Sequence, residues 1–357
     1  MDKVNISNKR IYSFDIMRII AICAVILLHI SADYVKSYPN NSLEFISNNL
    51  LNSFCRFAVP VFFMISGALM LNEDKKLSNK KIIHAALHIF VLLVIWSIFY
   101  SIAYYLIKPL VFKEEISINA LVYAIFSGHY HMWYLFVLIG LYLITPVLRT
   151  FIRRDNLPLI TPYLNFSIVV CFVLPFANQI VNLYTSHDNL LINYISNYRM
   201  DYFYDCMVYY IMGWYILNAE IKMRSRITIY ICGLLGYLAT AVCSQMFYDN
   251  TQSLINFFYE SNCLTVFLYS IAVFTFLHYL FKTKSFTTNA PVLKMSSLVF
   301  GVYLIHPIFL FALKIICNGI GPAPLDTVVI FACTTLLSFF SVFIISNIPF
   351  IKKIIRG

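Results

Sequence analysis

Charged residues are scarce in this chain. Only 12% of the 357 residues are Asp, Glu, Lys or Arg, whereas 61% are hydrophobic, and the mean hydropathy is +0.77. Soluble globular domains carry about 25% charged residues. The composition therefore excludes an ordinary soluble domain and indicates a chain that lies in a membrane.

Several sequence motifs are missing as well. The nine cysteines form no CxxC pair, which argues against a disulfide framework and against a cysteine metal site. The sequence has no G-x-S-x-G nucleophile elbow, no GxxxG helix-pairing motif and no long internal repeat. We therefore expect no metal and no serine nucleophile, and the oligomeric state stays open.

Continuous apolar runs, most of them about 20 residues long and able to cross a bilayer as a helix, recur along the chain. The runs do not alternate between polar and apolar positions, so membrane β-strands are disfavoured. We predict an all-α polytopic membrane protein with about ten transmembrane helices in one bundle, and a single domain over residues 1–357. The predicted runs are 14–32, 52–71, 82–107, 119–148, 158–180, 202–218, 227–247, 262–281, 296–317 and 326–346.

Basic residues cluster on alternate connections between these runs. By the positive-inside rule this bias places both termini in the cytoplasm, so the net charge of +10 is a topology signal and not a sign of nucleic-acid binding. The first run follows a basic segment but has no A-x-A cleavage site, and we expect a retained helix. The bias rests on Lys3, Lys9, Arg10, Lys75, Lys76, Lys80, Lys81, Arg149, Arg153, Arg154, Lys222, Arg224, Arg226, Lys282, Lys284, Lys294, Lys352, Lys353 and Arg356, against Lys36, Lys108, Lys113 and Arg199 on the other side.

The first run keeps two ionisable residues, Arg18 and His29. They are eleven positions apart, so they share one helix face and lie roughly 16 Å apart along its axis. Ionisable residues inside a membrane usually face a bundle interior or a water-filled cavity. Two plainer interpretations stay open: Arg18 snorkels to the cytoplasm, and His29 is satisfied by a neighbouring helix.

Further polar residues interrupt the other runs. Together they form a set too large to be incidental, because a charge buried in hydrocarbon is costly. Each has a structural alternative: snorkelling for Arg56, helix packing for its neighbours Pro60 and Gly67, and an interfacial aromatic belt for Trp133. With Arg18 and His29, this set comprises Arg56, Asp205 and His306, and the other polar or aromatic residues of interest beside it are Ser66, His129, His131, Trp133 and Tyr134.

Three sequence blocks follow the Arg18–His29 pair in order: "VPVFFMISG", "HMWYLFVLIGLYLITP" and "GVYLIHP". With these blocks the chain resembles the bacterial membrane acyltransferase family 3 over nearly its whole length. Within that family it looks most like enzymes that O-acetylate surface polysaccharides, the enterobacterial common antigen O-acetyltransferase among them. The resemblance implies transfer of an acetyl or other acyl group from cytoplasmic acyl-CoA to a sugar hydroxyl, at the bacterial inner membrane.

The resemblance and the chemistry of the side chains together suggest roles. A hydroxyl needs a base, and histidine titrates near neutral pH, so His29 is the expected catalytic residue. Arginine offers planar donors to CoA phosphates, and Arg18, Arg149 and Arg153 are the expected donor-binding residues, with topology alone as the alternative for the last two. Direct transfer of the acyl group from the thioester to the hydroxyl, with His29 as general base, is the first interpretation of the mechanism, and transfer through an acyl-histidine intermediate is the second. Acceptor binding or pore lining is expected of Arg56, Ser66, His131, Trp133 and His306.

Two other functions stay open. A transporter or flippase for a sugar or lipid-linked oligosaccharide also has many helices, intramembrane charges and Pro/Gly breaks. A purely structural membrane partner is the third alternative. Acyl-CoA, a glycan acceptor and membrane lipids are the expected partners, with no permanently bound cofactor and no nucleic acid. The acceptor glycan, its hydroxyl position and the acyl group are not determined by the sequence.

Overall fold

The computed structural model describes residues 11–112, 118–184, 201–247, 257–282, 290–317, 323–349 and 355. This part of the chain is helical without strands, which confirms the all-α prediction. Nine helical segments in it are long and apolar enough to cross a membrane. The helices are α1 Tyr12–Ser37, α2 Leu43–Cys55, α3 Ala58–Met70, α4 Asn79–Phe112, α5 Ile118–Ser127, α6 Trp133–Phe151, α7 Leu157–Ile168, α8 Leu174–Tyr184, α9 Asp201–Asn218, α10 Met223–Met246, α11 Leu264–Lys282, α12 Ala290–Cys317 and α13 Ala323–Ile345.

The two ends of the bundle differ in charge. Arg149 at the end of α6 reaches the backbone of Lys75 in the α3–α4 connection, and Arg18 interacts electrostatically with the same lysine. We call this end the basic end and the opposite one, at Lys36, the distal end. The single domain and the orientation of the chain stay predictions. Of the residues behind that orientation, Lys3, Lys9, Arg10, Lys113, Arg199, Lys284, Lys352, Lys353 and Arg356 lie outside the described residues.

The second predicted run is a broken helix and not one continuous helix. It begins earlier than expected, at Leu43, and is divided into α2 and α3 at Arg56–Phe57. Pro60 explains the break, because proline has no N–H for the carbonyl of the fourth residue before it and its ring clashes with that carbonyl. That fourth residue is Arg56. The break therefore places a cationic side chain where the helix is interrupted.

The fourth predicted run is also divided. α5 ends at Ser127, Gly128 takes a positive φ of 73°, and a short 3₁₀ turn, Tyr130–Met132, leads into α6. Positive φ is readily available to glycine alone among common residues. The chain thus turns at Gly128, and His129 and His131 lie in this connection instead of a regular helix.

Helix α1 occupies the centre of the bundle, with α2, α3, α11, α12 and α13 packed around it. Next to it, α3 and α9 approach at backbone distance. A Cβ on Gly67 would collide with the Tyr210 carbonyl, and one on Gly213 would collide with the Met64 carbonyl. Glycine at both crossing points is therefore required for this contact, as is common between helices in membranes.

Candidate active site

A cavity of about 390 Å³ opens beside α1 toward the distal end. Residues from α1, the α2–α3 break, the start of α3, the α5–α6 connection, the start of α6, α12 and the segment just before α11 enclose it. Four of the residues predicted to serve catalysis or acceptor binding meet here: His29, Arg56, His131 and Trp133. The remaining lining residues are Val25, Leu28, Ala32, Val35, Lys36, Val59, Pro60, Phe62, Tyr130, Tyr134, Tyr259, Glu260, Ser261 and Tyr303.

His29 lies among other aromatic rings in this cavity. Its ring centroid is 5.6 Å from that of His306, nearly parallel to it, and 5.1 Å from that of Tyr130, edge to face. Among the described residues, none is hydrogen bonded to the His29 ring. An imidazole that lines a cavity and keeps its nitrogens free is available to a substrate.

His306 supports His29 from behind the cavity wall. Its side chain is fully buried, and its Nδ1 lies 2.8 Å from the Tyr303 carbonyl oxygen. Pro307 explains this contact, because proline has no N–H to give the Tyr303 carbonyl, four residues earlier, its usual helical hydrogen bond. Since a carbonyl only accepts, Nδ1 carries the proton and Nε2 is left as a lone pair. Within the described part of the chain, that buried Nε2 has no partner.

His131 offers a second buried nitrogen. Its side chain is 3% exposed, its Nδ1 lies 2.7 Å from Nδ1 of His129, and its Nε2 finds no partner among the described residues. The Tyr303 hydroxyl donates to the His131 carbonyl at 2.6 Å. This bond ties the 3₁₀ turn to α12. The two histidine rings, His131 and His306, are 5.5 Å apart.

Arg56 is held rigidly at the helix break. Its Nε donates to Oδ1 of Asn52 at 2.8 Å, Nη2 donates to the same oxygen, and Nη1 donates to the Tyr259 carbonyl at 2.8 Å. The guanidinium also stacks over the Tyr259 ring, 4.2 Å from its centroid. Asn52 in turn donates to the carbonyl of Leu28, the neighbour of His29. Arg56 and His29 are thereby fixed relative to each other.

Ser66 lies outside the cavity lining, deeper toward the basic end. It lies close to the Tyr134 and Tyr142 side chains, and both phenols interact electrostatically with Arg18. Since Tyr134 lines the cavity, these polar groups run from the cavity to Arg18. They bridge part of the roughly 16 Å that separates Arg18 from His29 along α1.

Arg18 does not line the cavity. Its guanidinium lies 3.3 Å from the Asp15 carboxylate, which also accepts a hydrogen bond of 2.6 Å from Ser296. Lys75 is close to Arg18 and Arg149, and burial, followed by repulsion from these two guanidinium groups, lowers the pKa of Lys75 below its ordinary value. A group of crowded cations of this kind is suited to a polyanion.

Arg149 and Arg153, both predicted to bind the donor, have different surroundings. Arg149 donates from Nη1 to the carbonyls of Met70 and Asn72 at 2.6 and 3.0 Å, and from Nη2 to that of Lys75 at 2.9 Å. Arg153 is exposed and lies 4.0 Å from Glu73. Arg149 thus fixes the α3–α4 connection, whereas Arg153 stands at its surface, and donor binding by either stays a prediction.

Sequence reasoning missed three parts of the site. Lys75 was counted only as a topology charge, and Tyr259 and Glu260 were not considered. Tyr259 meets Arg56 from 203 positions away, so no local motif could indicate the contact. Asp205, singled out as an intramembrane acid, accepts a hydrogen bond of 3.0 Å from Ser261 and so positions a cavity residue without lining the cavity itself.

Within the described residues, no group of three or more His, Cys, Asp or Glu side chains is placed to hold a metal ion. The chain matches the sequence family described as an acyltransferase domain over residues 11–347. No curated protein and no solved structure matches it. Because the family match extends over nearly the whole chain, and the helices are those of a multi-pass membrane protein, the chain belongs to the membrane acyltransferase family 3.

Proposed function

We propose that this protein transfers an acyl group from cytoplasmic acyl-CoA to a hydroxyl of a surface glycan or its lipid-linked precursor. The acyl group in this proposal is acetyl, as in the polysaccharide O-acetyltransferases that the sequence resembles. The observation that carries the proposal is His29, whose ring faces the distal cavity without a hydrogen-bonding partner among the described residues. The site lies in a membrane protein of an acyltransferase family. We place it in the bacterial inner membrane.

The two substrates approach from opposite ends in this proposal. The cations Arg18 and Lys75 at the basic end suit the phosphates of CoA. The pantetheine arm then extends past Ser66 and Tyr134 to bring the thioester to His29, over a distance of roughly 16 Å. The acceptor enters from the distal end, where Trp133 offers an aromatic face to the apolar side of a sugar ring.

Transfer requires one proton to move. An unprotonated nitrogen of His29 takes the proton of the acceptor hydroxyl as its oxygen attacks the thioester carbonyl carbon. The C–O bond forms, the C–S bond breaks, and the imidazolium returns the proton to the departing thiolate. The products are an ester and free CoA thiol. His131 and His306 are buried beside this site, and charge interactions are strong in such a low-dielectric surrounding.

The test uses purified protein in lipid nanodiscs with acetyl-CoA and a panel of oligosaccharides. We expect release of CoA thiol that requires both substrates, with the acetyl group found on the glycan by mass spectrometry. His29→Ala should abolish this release, by at least about 100-fold. His84→Ala, a change of an exposed histidine on α4 away from the cavity, is the matched control and should retain full activity.

Transport is the second candidate function, because helix breaks beside a cavity, here in α2–α3 and α5–α6, are also typical of transporters. Proteoliposomes loaded with a labelled lipid-linked sugar separate the two functions. Movement of the sugar across the bilayer without acetyl-CoA and without thiol release would favour transport. Thiol release that requires the glycan favours the acyltransferase.

A further inference from the structure

The cavity contains an arginine that, within the described part of the chain, no carboxylate contacts as a direct ion pair. Arg56 is partly buried inside a membrane-spanning segment, and among the described residues no carboxylate forms an ion pair with it. Glu260, the nearest acid in the cavity lining, is exposed and interacts with Arg56 only at longer range. A cation in low dielectric without a counterion is costly, and such residues usually serve a ligand.

The hydrogen bonds of Arg56 leave part of its guanidinium available. The group has five N–H donors, and the contacts seen among the described residues, to Asn52 and the Tyr259 carbonyl, use three of them. One donor remains on each Nη atom. Two donors on the terminal nitrogens of a fixed guanidinium match the paired oxygens of a carboxylate or phosphate.

A second cation extends this site toward the distal end. Lys36 is exposed and lines the same cavity as Arg56 and His29. Among the described residues, the lining therefore has two cations and one acid, Glu260. This excess of positive charge lies along the route by which an acceptor enters from the distal side, whereas the donor phosphates are placed at the opposite end of α1.

We infer that Arg56 and Lys36 form an anion subsite, and that the acceptor bears a negative group close to the hydroxyl that is acylated. The group is a carboxylate on an acidic sugar or a phosphate that links the sugar to a lipid, since both present paired oxygens to a guanidinium. This inference rests on the proposed function for the reacting hydroxyl. The anion subsite itself rests on the geometry of Arg56.

The experiment measures binding and transfer separately. Wild-type protein in nanodiscs of neutral lipid is titrated with three probes: a glucuronic-acid disaccharide, the same disaccharide with its carboxyl group reduced to an alcohol, and a short prenyl-phosphate monosaccharide. We expect at least one anionic probe to bind about 10-fold or more tightly than the carboxyl-reduced disaccharide, with the preference weakening as salt rises. Which anionic probe binds better identifies the carboxylate or the phosphate as the source.

Variants then assign the preference to the subsite. Arg56→Gln should weaken binding of the preferred anionic probe about 10- to 100-fold and leave the neutral one within about twofold. Arg56→Lys should give an intermediate loss of affinity, because lysine keeps the charge but lacks the paired N–H donors of the planar guanidinium. Lys36→Gln changes an exposed residue and should weaken binding of the anionic probe about two- to fivefold at low salt.

The outcomes separate the two proposals. Selective binding of an anionic probe without acyl transfer supports the subsite and overturns the proposed function. Acyl transfer to neutral and anionic probes with equal KM overturns the subsite and leaves the proposed function in place. Equal binding of all three probes by wild-type protein also overturns the anion subsite, whatever the behaviour of the Arg56 variants.

Discussion

Arg149→Lys should loosen the connection between α3 and α4. The guanidinium satisfies three backbone carbonyls, those of Met70, Asn72 and Lys75, at 2.6, 3.0 and 2.9 Å. A hydrogen bond from a charged group contributes about 1.5–3 kcal/mol when buried, and Arg149 is only partly buried, so the three together contribute about 2–4 kcal/mol. The single ammonium of lysine cannot reach all of these carbonyls, because it lacks the separated N–H donors of the planar guanidinium. We expect a loss of about 1–2 kcal/mol in the free energy of unfolding.

Thermal unfolding of the purified protein measures this loss. Arg149→Lys should lower the Tm by a few degrees. Arg153→Lys is the matched control, because Arg153 is 54% exposed and lies 4.0 Å from Glu73, and it should leave the Tm unchanged. Equal shifts in both variants would refute the structural role of Arg149. An unchanged Tm together with a raised KM for acyl-CoA would assign Arg149 to the donor instead.

Three further substitutions test the packing, the cavity and the basic end. Gly67→Ala should lower the free energy of unfolding by about 3 kcal/mol in a thermal or chemical melt, because the new Cβ meets the Tyr210 carbonyl, and an unchanged melt would contradict the close helix contact. Tyr303→Phe removes the 2.6 Å hydrogen bond to the His131 carbonyl and should lower kcat with little change in donor KM. A raised donor KM with unchanged kcat would contradict a role of this hydrogen bond in positioning His131. Lys75→Gln should raise the donor KM at neutral pH while slightly stabilising the protein, since it removes a repelled charge. Because the pKa of Lys75 is lowered, its charge is lost as pH rises toward the ordinary lysine pKa. The difference in donor KM between wild type and Lys75→Gln should therefore shrink with rising pH, and a constant difference would count against a charge effect.

The parts of the site that depend on local sequence follow from helix periodicity and proline chemistry. Arg18 and His29 share a helix face because eleven residues make three turns. Pro60 and Pro307 each act on the carbonyl four residues earlier, and this local rule explains the break at Arg56 and the contact of His306 with Tyr303.

The remaining parts depend on contacts between distant segments. Asn52 links Arg56 to the carbonyl of Leu28, and Tyr259 reaches Arg56 from far along the chain. Neither contact has a periodic or motif signal. The run over 52–71 was predicted as one helix that Pro60 could loosen, and apolar character alone does not locate the break at Arg56–Phe57.

The central claim is that the donor and the acceptor reach His29 from opposite ends of the bundle. Proteoliposomes with the protein in one orientation, established by protease access to the α3–α4 connection, test it directly. We predict acyl transfer when acyl-CoA is on the side of the basic end and the glycan is on the other side, with loss of transfer in His29→Ala and not in His84→Ala. Transfer that requires both substrates on the same side of the membrane would contradict the account.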